Sequence, residues 1–137
     1  MAYVKHRYTE ENTEETPFEF TEENYKEVDR LLSKFPKNYK QSACIPLLML
    51  AQKQNDNFLS LSAMNKVAKV MEVPPMKVYQ VASFYTMFNR TPVGKFHLQV
   101  CGTTPCMVRG SRDIMKAVEE FAGIKDGETS EDNLFTV

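Results

Sequence analysis

The segment FHLQVCGTTPCMVRGS holds two of the three cysteines in the chain, and these are its best candidates for chemistry. Cys101 and Cys106 are separated by four residues, a C-x4-C spacing. A close thiolate pair is often one edge of a metal or iron-sulfur site, although such a site usually needs four ligands. The spacing also suits a disulfide or redox dithiol, and it is compatible with two inert thiols. By itself it leaves all three interpretations open.

The residues around the two cysteines favour a cofactor site. Gly102 lets the backbone approach a cluster closely, and Pro105 restricts the turn. The amides of Gly102, Thr103 and Thr104 are free to donate hydrogen bonds to thiolate or sulfide sulfur, an effect that tunes reduction potential. Arg109 adds positive charge nearby. These groups predict a loop that stabilises negative charge on sulfur.

Residues elsewhere in the chain do not complete a four-ligand set. His97 precedes Cys101 by four residues on a predicted strand, so their Cα atoms are ~13 Å apart, too far to share one tetrahedral ion. His97 is therefore expected to be a surface or partly buried strand residue. His6 lies in an acidic segment and cannot be placed, and Cys44 lies in an apolar helix and is predicted to be an unreactive core thiol. The sequence contains half of a site.

The two cysteines fall in a predicted α/β lobe at residues 91–137. Alternating apolar and polar residues predict a strand over 95–100, followed by the cysteine loop. An apolar stripe predicts a helix from about Arg112 to Gly123, and the final LFTV predicts a second strand. One helix and two strands cannot cover both faces of a sheet, so the lobe is expected to be incomplete in this sequence.

A small four-helix bundle is predicted before the lobe, over residues 21–90. Thr21 is suited to cap the first helix, which Pro36 closes, and the second tolerates Pro46 only in its first turn. Ser62 is the predicted cap of the third helix, and Pro74 and its neighbour stand at the entry to the fourth. The four predicted helices cover about 21–35, 42–53, 62–71 and 73–88.

Composition and charge exclude several classes of protein. No apolar run reaches the roughly 18 residues that a membrane span needs, and the first residues resemble neither a secretory signal nor a transit peptide. Three cysteines do not make a secreted disulfide framework, which favours a reducing compartment. Residues 1–23 carry seven acidic and two basic side chains. Residues 1–20 are therefore predicted to be an acidic extended arm without a fold of its own, lying on this protein or on a partner.

Several segments together resemble the small thioredoxin-like 2Fe-2S subunit family of respiratory NADH:ubiquinone oxidoreductase, complex I. They are ENYKEVDRLL, CIPLLMLAQKQN, LSAMNKVAKVMEVPPMKVYQVASFYTMFNRTPVGKFHLQVC, TTPCM and GETSEDNLFTV. The resemblance covers about residues 17–137. It implies an α+β fold in which a helical bundle precedes a thioredoxin-like ferredoxin lobe.

The resemblance also implies a cofactor and its ligands. Cys101 and Cys106 match the first cysteine pair of that family, in which a later C-x3-C pair supplies the other two ligands of a 2Fe-2S cluster. The sequence is therefore expected to be truncated before the second pair. The alternatives are that another chain supplies the missing ligands or that this homologue has lost its cluster. The backbone amides of Gly102, Thr103 and Thr104 are the expected hydrogen-bond donors to the cluster sulfur.

The function implied by the resemblance is one-electron transfer within a larger enzyme. The cluster would exchange an electron with the FMN of the flavoprotein subunit that binds NADH, and this subunit would have no catalytic residues of its own. The implied partners are that flavoprotein subunit and a neighbouring iron-sulfur subunit, in a hetero-oligomer that is not embedded in the membrane. The expected location is the matrix side of the mitochondrial inner membrane, or the cytoplasm of a bacterium.

Two alternatives remain open from the sequence. The same module occurs in multisubunit hydrogenases and formate dehydrogenases. The third and fourth predicted helices also resemble a helix-turn-helix, with Lys77, Tyr79 and Gln80 placed to read bases. Two prolines in the turn, a pI of about 6.1 and the acidic arm argue against DNA binding, so no nucleic-acid partner is expected.

Overall fold

A computed structural model describes residues 12–137 of the chain. The chain divides into two compact units, Met1–Pro92 and Val93–Val137. The part of the predicted acidic arm at residues 1–11 lies outside the described residues. Within residues 12–137, no helix has both the length and the apolar character needed to cross a membrane.

The described part of the arm packs on the first unit without forming a helix or strand of its own. The Asn12 side chain is buried and accepts a hydrogen bond from the Leu61 amide at 2.8 Å. The Glu19 carboxylate pairs with Lys66 at 2.6 Å, and the Gln54 side chain donates to the Glu19 carbonyl at 2.7 Å. These long-range contacts hold residues 12–20 against the helices of this unit.

The first two α-helices begin and end close to the predicted residues. Helix α1 spans Glu22–Ser33, and the Thr21 hydroxyl caps it by accepting from the Asn24 amide at 3.3 Å. A 3-10 helix, Lys37–Ala43, then leads into α2, Cys44–Gln54. Pro46 is the third residue of α2, in the first turn, where its missing N–H leaves no helical bond unmade.

The cap predicted for the third helix was wrong by two residues. Helix α3 spans Leu61–Met71, and its cap is Ser60, whose hydroxyl accepts from the Ala63 amide at 3.2 Å. Ser62 lies within the first turn instead and shares a hydrogen bond with Ser60 at 3.1 Å. The helix begins earlier because Leu61 already belongs to the apolar face that is buried in the core.

The fourth helix is shorter than predicted. Helix α4 spans Pro75–Phe84, with Pro75 in the first turn as expected, and Tyr85 already has an extended backbone. The helix ends because Asn89 forms hydrogen bonds with other segments of the chain. Its amide donates to the Gln52 side chain at 2.8 Å, and its carbonyl accepts from the Leu59 amide at 2.8 Å.

The hydrophobic core of the first unit is formed by the inner faces of these helices. Its largest fully buried side chains come from α2, α3, α4 and the loop before α3. They are Leu47, Leu48, Leu59, Val67 and Val78. The predicted helical bundle therefore has a core of its own, and the structure adds the 3-10 helix to the four α-helices that the sequence predicted.

The second unit is a small α/β arrangement. Strand β1, Phe96–His97, pairs in parallel with strand β2, Phe135–Thr136. Helices α5, Thr104–Val108, and α6, Ser111–Ala122, lie between the strands in sequence. The predicted strand over 95–100 is longer than β1, because β2 offers only two residues for pairing. The mixed α+β architecture agrees with the predicted fold class.

A glycine sets the close approach of the two strands. A Cβ atom on Gly94 would lie 2.9 Å from the carbonyl carbon of Phe135, a distance that side-chain atoms essentially never adopt. The Gly94 amide donates to the Thr136 hydroxyl at 2.7 Å, and this hydroxyl also contacts that of Thr129 at 2.9 Å. The strand that leads to the cysteines is therefore held by a contact that only glycine permits.

Candidate iron-sulfur site

The segment between β1 and α6 positions both cysteines. Cys101 lies on the extended stretch after β1, and Cys106 is the third residue of α5. The sequence predicted a loop for this whole segment, whereas the structure forms a short helix from Thr104. Pro105 is the second residue of that helix, where the lack of an N–H is harmless. The helix turns Cys106 back towards Cys101.

The Thr103 hydroxyl contacts Cys101, and the two thiols are close enough for each to shift the pKa of the other. The Sγ atom of Cys101 is 3.1 Å from the hydroxyl oxygen of Thr103. Hydrogen bonds from the Thr103 hydroxyl, the Thr103 amide and the Cys106 thiol lower the pKa of Cys101 to about 7. Cys101 is exposed and Cys106 is half-buried. A thiolate is therefore stabilised at Cys101 by hydrogen bonds rather than by a cation.

The two thiols are not equivalent. The pKa of Cys106 is raised, first because its thiol donates a hydrogen bond to Cys101, and then by burial and by the negative charge on Cys101. The pair thus shares one proton more readily than it loses two, which is the usual behaviour of interacting acids. A cation held by both sulfurs would remove this coupling because it stabilises both thiolates.

The remaining predicted site residues differ in what the structure shows. A Cβ atom on Gly102 would meet nothing within 4 Å, so its lack of a side chain leaves open space in front of the backbone. Thr104 is the first residue of α5, and Arg109 is the cap residue after its last turn. The sequence analysis named only main-chain amides as donors to sulfur, and it missed the Thr103 hydroxyl, which lies 3.1 Å from the Sγ atom of Cys101. A hydroxyl residue two positions after a cysteine was the available signal.

The other potential ligands are not part of this group. His97 lies in β1 and is half-buried, in line with the prediction. Cys44 is 8% exposed in the core of the first unit, and burial raises the pKa of its thiol, which agrees with an unreactive core cysteine. Among residues 12–137, His, Cys, Asp and Glu side chains form no cluster of three that could hold a metal ion.

The two cysteine thiols are part of the ligand set that an iron-sulfur cluster needs. Thiolates are the ligands that hold 2Fe-2S clusters, and hydrogen bonds to their sulfur atoms adjust the potential. Cys101 and Cys106 supply two adjacent thiol ligands, one of them already close to ionisation at neutral pH. The exposed face of Gly102 leaves room for a bulky group beside them. The residues present therefore fit one half of a four-thiolate cluster site.

Comparison with known proteins covers both units. The family model of the thioredoxin-like 2Fe-2S ferredoxin matches residues 28–137. A protein of Dictyostelium discoideum named NADH dehydrogenase (ubiquinone) flavoprotein 2, mitochondrial, is 55% identical over 136 residues. Proteins named as the E subunit of NADH-quinone oxidoreductase are 49% identical over 128 residues in Rickettsia typhi and 48% identical over 120 residues in Rickettsia prowazekii.

The relatives are longer than this chain. The Dictyostelium match covers 99% of this chain but 55% of the relative, so the chain spans about half of that protein. The Rickettsia typhi match covers 92% of this chain and 75% of the relative, and the Rickettsia prowazekii match covers 88% and 68%.

Proposed function

The chain belongs to the thioredoxin-like 2Fe-2S ferredoxin family, and we propose that it is part of the one-electron-transfer subunit of the NADH dehydrogenase module of complex I. Cys101 and Cys106 are two of the cluster ligands in this proposal. The observation that carries it is that the two thiols shift each other's pKa, with the Thr103 hydroxyl 3.1 Å from the Cys101 sulfur, inside the segment matched by the family. The names of the relatives support the choice of complex I.

The proposed cluster needs two ligands besides Cys101 and Cys106. A 2Fe-2S cluster takes four protein ligands, and the remaining thiol, Cys44, is buried in the first unit. The two further cysteine ligands are not among these 137 residues. When bound, the cluster supplies one-electron chemistry.

In this proposal the residues around the two cysteines position the ligand sulfurs and stabilise their negative charge. The Thr103 amide and hydroxyl stabilise negative charge on Cys101, and α5 orients Cys106 towards it. The open backbone at Gly102 leaves space for the cluster, with the amides of Gly102 and Thr104 as further donors. We assign these residues to electron transfer alone. NADH oxidation belongs to the FMN of a partner flavoprotein subunit, with which the cluster exchanges an electron.

A second surface supports the assignment to a hetero-oligomer. At the end of α4, Phe84 is 77% exposed, and Tyr85 and Met87 are also exposed, whereas Phe88 is buried. Aromatic and methionine side chains are typical of the centre of a protein interface. We assign this surface to contact with the flavoprotein or the neighbouring iron-sulfur subunit. The complex would lie on the matrix side of the mitochondrial inner membrane or in the bacterial cytoplasm.

Low-temperature EPR of the reduced, assembled complex tests the ligand assignment. Cys101→Ser and Cys106→Ser are each expected to weaken or abolish the 2Fe-2S signal, because a hydroxyl is far less acidic than a thiol and is a poorer ligand for iron. Cys44→Ser is the matched control and should retain the signal. An unchanged spectrum in Cys101→Ser, or its loss in Cys44→Ser, would show that the wrong thiols are assigned.

Co-purification tests the interface. Phe84→Ser is expected to reduce recovery of the partner subunits, whereas Phe84→Leu should retain most of it because the apolar contact is preserved. Phe84 contributes little to the core, so both variants should unfold at nearly the same temperature as the unmodified protein. Full recovery of the partner subunits with Phe84→Ser would show that this surface is not needed for the interface.

A further inference from the structure

The side chain of Thr103 has an unusual orientation. Thr103 occupies the cap position before α5, where a threonine hydroxyl commonly accepts a hydrogen bond from an amide of the first turn. Here the hydroxyl makes no such bond and lies 3.1 Å from the Sγ atom of Cys101. The side chain therefore contacts a candidate ligand and contributes nothing to helix capping.

Thr103 is also joined to α5 through its main chain. Its carbonyl accepts a hydrogen bond from the Met107 amide at 2.8 Å. The backbone of Thr103 is thus fixed by α5. A hydroxyl has one proton to donate, so it stabilises one ligand sulfur.

We propose that Thr103 is a positioning residue, whose hydroxyl donates to the ligand sulfur of Cys101 and raises the reduction potential of the cluster. The inference rests on the proposed function and adds a side-chain contribution to it. A hydrogen bond donated to sulfur is stronger when the sulfur carries more negative charge, and so it favours the reduced state. Loss of the hydroxyl alone therefore makes the potential more negative.

The experiment is an EPR-monitored redox titration of the cluster in the assembled complex. Thr103→Val removes the hydroxyl and keeps the branched shape, while Thr103→Ser keeps the hydroxyl and removes the methyl group. For Thr103→Val we expect about a fivefold change in the ratio of oxidised to reduced cluster at a fixed potential, a shift of about 40 mV to more negative values. Thr103→Ser should titrate like the unmodified protein.

The outcomes separate this inference from the proposed function. A shift in Thr103→Val with rescue by Thr103→Ser supports it, as does loss of the cluster in the valine variant alone. Unchanged potentials in both variants would overturn it. Equal shifts in potential in both variants, or loss of the cluster from both, would also overturn it, because the effect would then not depend on the hydroxyl group. Absence of any 2Fe-2S signal in the unmodified complex would instead refute the proposed function, and the inference with it.

Discussion

Alkylation of the cluster-free protein should modify Cys101 before the other two cysteines. The perturbation is removal of the cluster by a chelator under reducing conditions, followed by iodoacetamide at pH 7. Hydrogen bonds from the Thr103 hydroxyl and amide, and from Cys106, lower the pKa of Cys101 to about 7 from an ordinary value of 9.0. About half of Cys101 is then thiolate at pH 7, compared with about 1% of an ordinary thiol.

The expected rate advantage is smaller than the gain in thiolate. The thiolate fraction rises about 50-fold, but the less basic thiolate is about eightfold less nucleophilic for a Brønsted coefficient near 0.45, which leaves a net advantage of about sixfold over an ordinary thiol. The pKa of Cys106 is raised by its bond to Cys101, and burial raises that of Cys44. Both should react more slowly than an ordinary thiol, so the selectivity within the chain exceeds this factor.

Mass spectrometry of the alkylated peptides measures the three rates separately. The rate at Cys101 should rise with pH, reach half its maximum near pH 7, and level off above about pH 8, because only the thiolate reacts. Thr103→Val should move this midpoint to higher pH, since the first cause of the shift is lost. Equal rates at Cys101 and Cys106, or a midpoint near 9 in the unmodified protein, would refute the described geometry.

Three substitutions test the scaffold around the site. Gly94→Ala should destabilise the second unit by about 1 to 3 kcal/mol and reduce cluster content, because the added Cβ would overlap the backbone of Phe135. Gly102→Ala is the control for thermal unfolding, because the Cβ added there meets open space. Gln52→Leu should lower the free energy of unfolding by about 1 kcal/mol, since it leaves two partly buried main-chain groups, the Met87 carbonyl and the Asn89 amide, without their side-chain partner. An unchanged denaturant midpoint would contradict this. Ser60→Ala should lower the free energy of unfolding by about 1 kcal/mol through loss of the cap of α3. An unchanged free energy would show that Ser60 does not stabilise the start of this helix.

Local sequence signals predicted the helices well and their ends less well. The apolar periodicity and the cap at Thr21 located α1, and Pro75 marked the start of α4, because capping and proline geometry act within a single turn. The cap of α3 could not be chosen from local chemistry, since Ser60 and Ser62 both precede apolar residues. Burial of Leu61 decides between them, and burial depends on the other helices. The end of α4 was likewise set by Gln52, distant in sequence.

The sequence by itself determined the residue types of the candidate site: two cysteines at C-x4-C spacing, at the predicted junction between a strand and a helix, with amide donors between them. It also identified Cys44 as a core thiol, because its neighbours are apolar. Only the tertiary structure decided that Thr103 turns its hydroxyl to sulfur instead of to the helix, and that the two thiols have different proton affinities. The tertiary structure also explains the glycine at position 94, because the backbone of Phe135 in a distant strand would lie too close to a Cβ atom there. Residue types are local properties, whereas hydrogen-bond partners and close approaches depend on which distant segments the fold brings together.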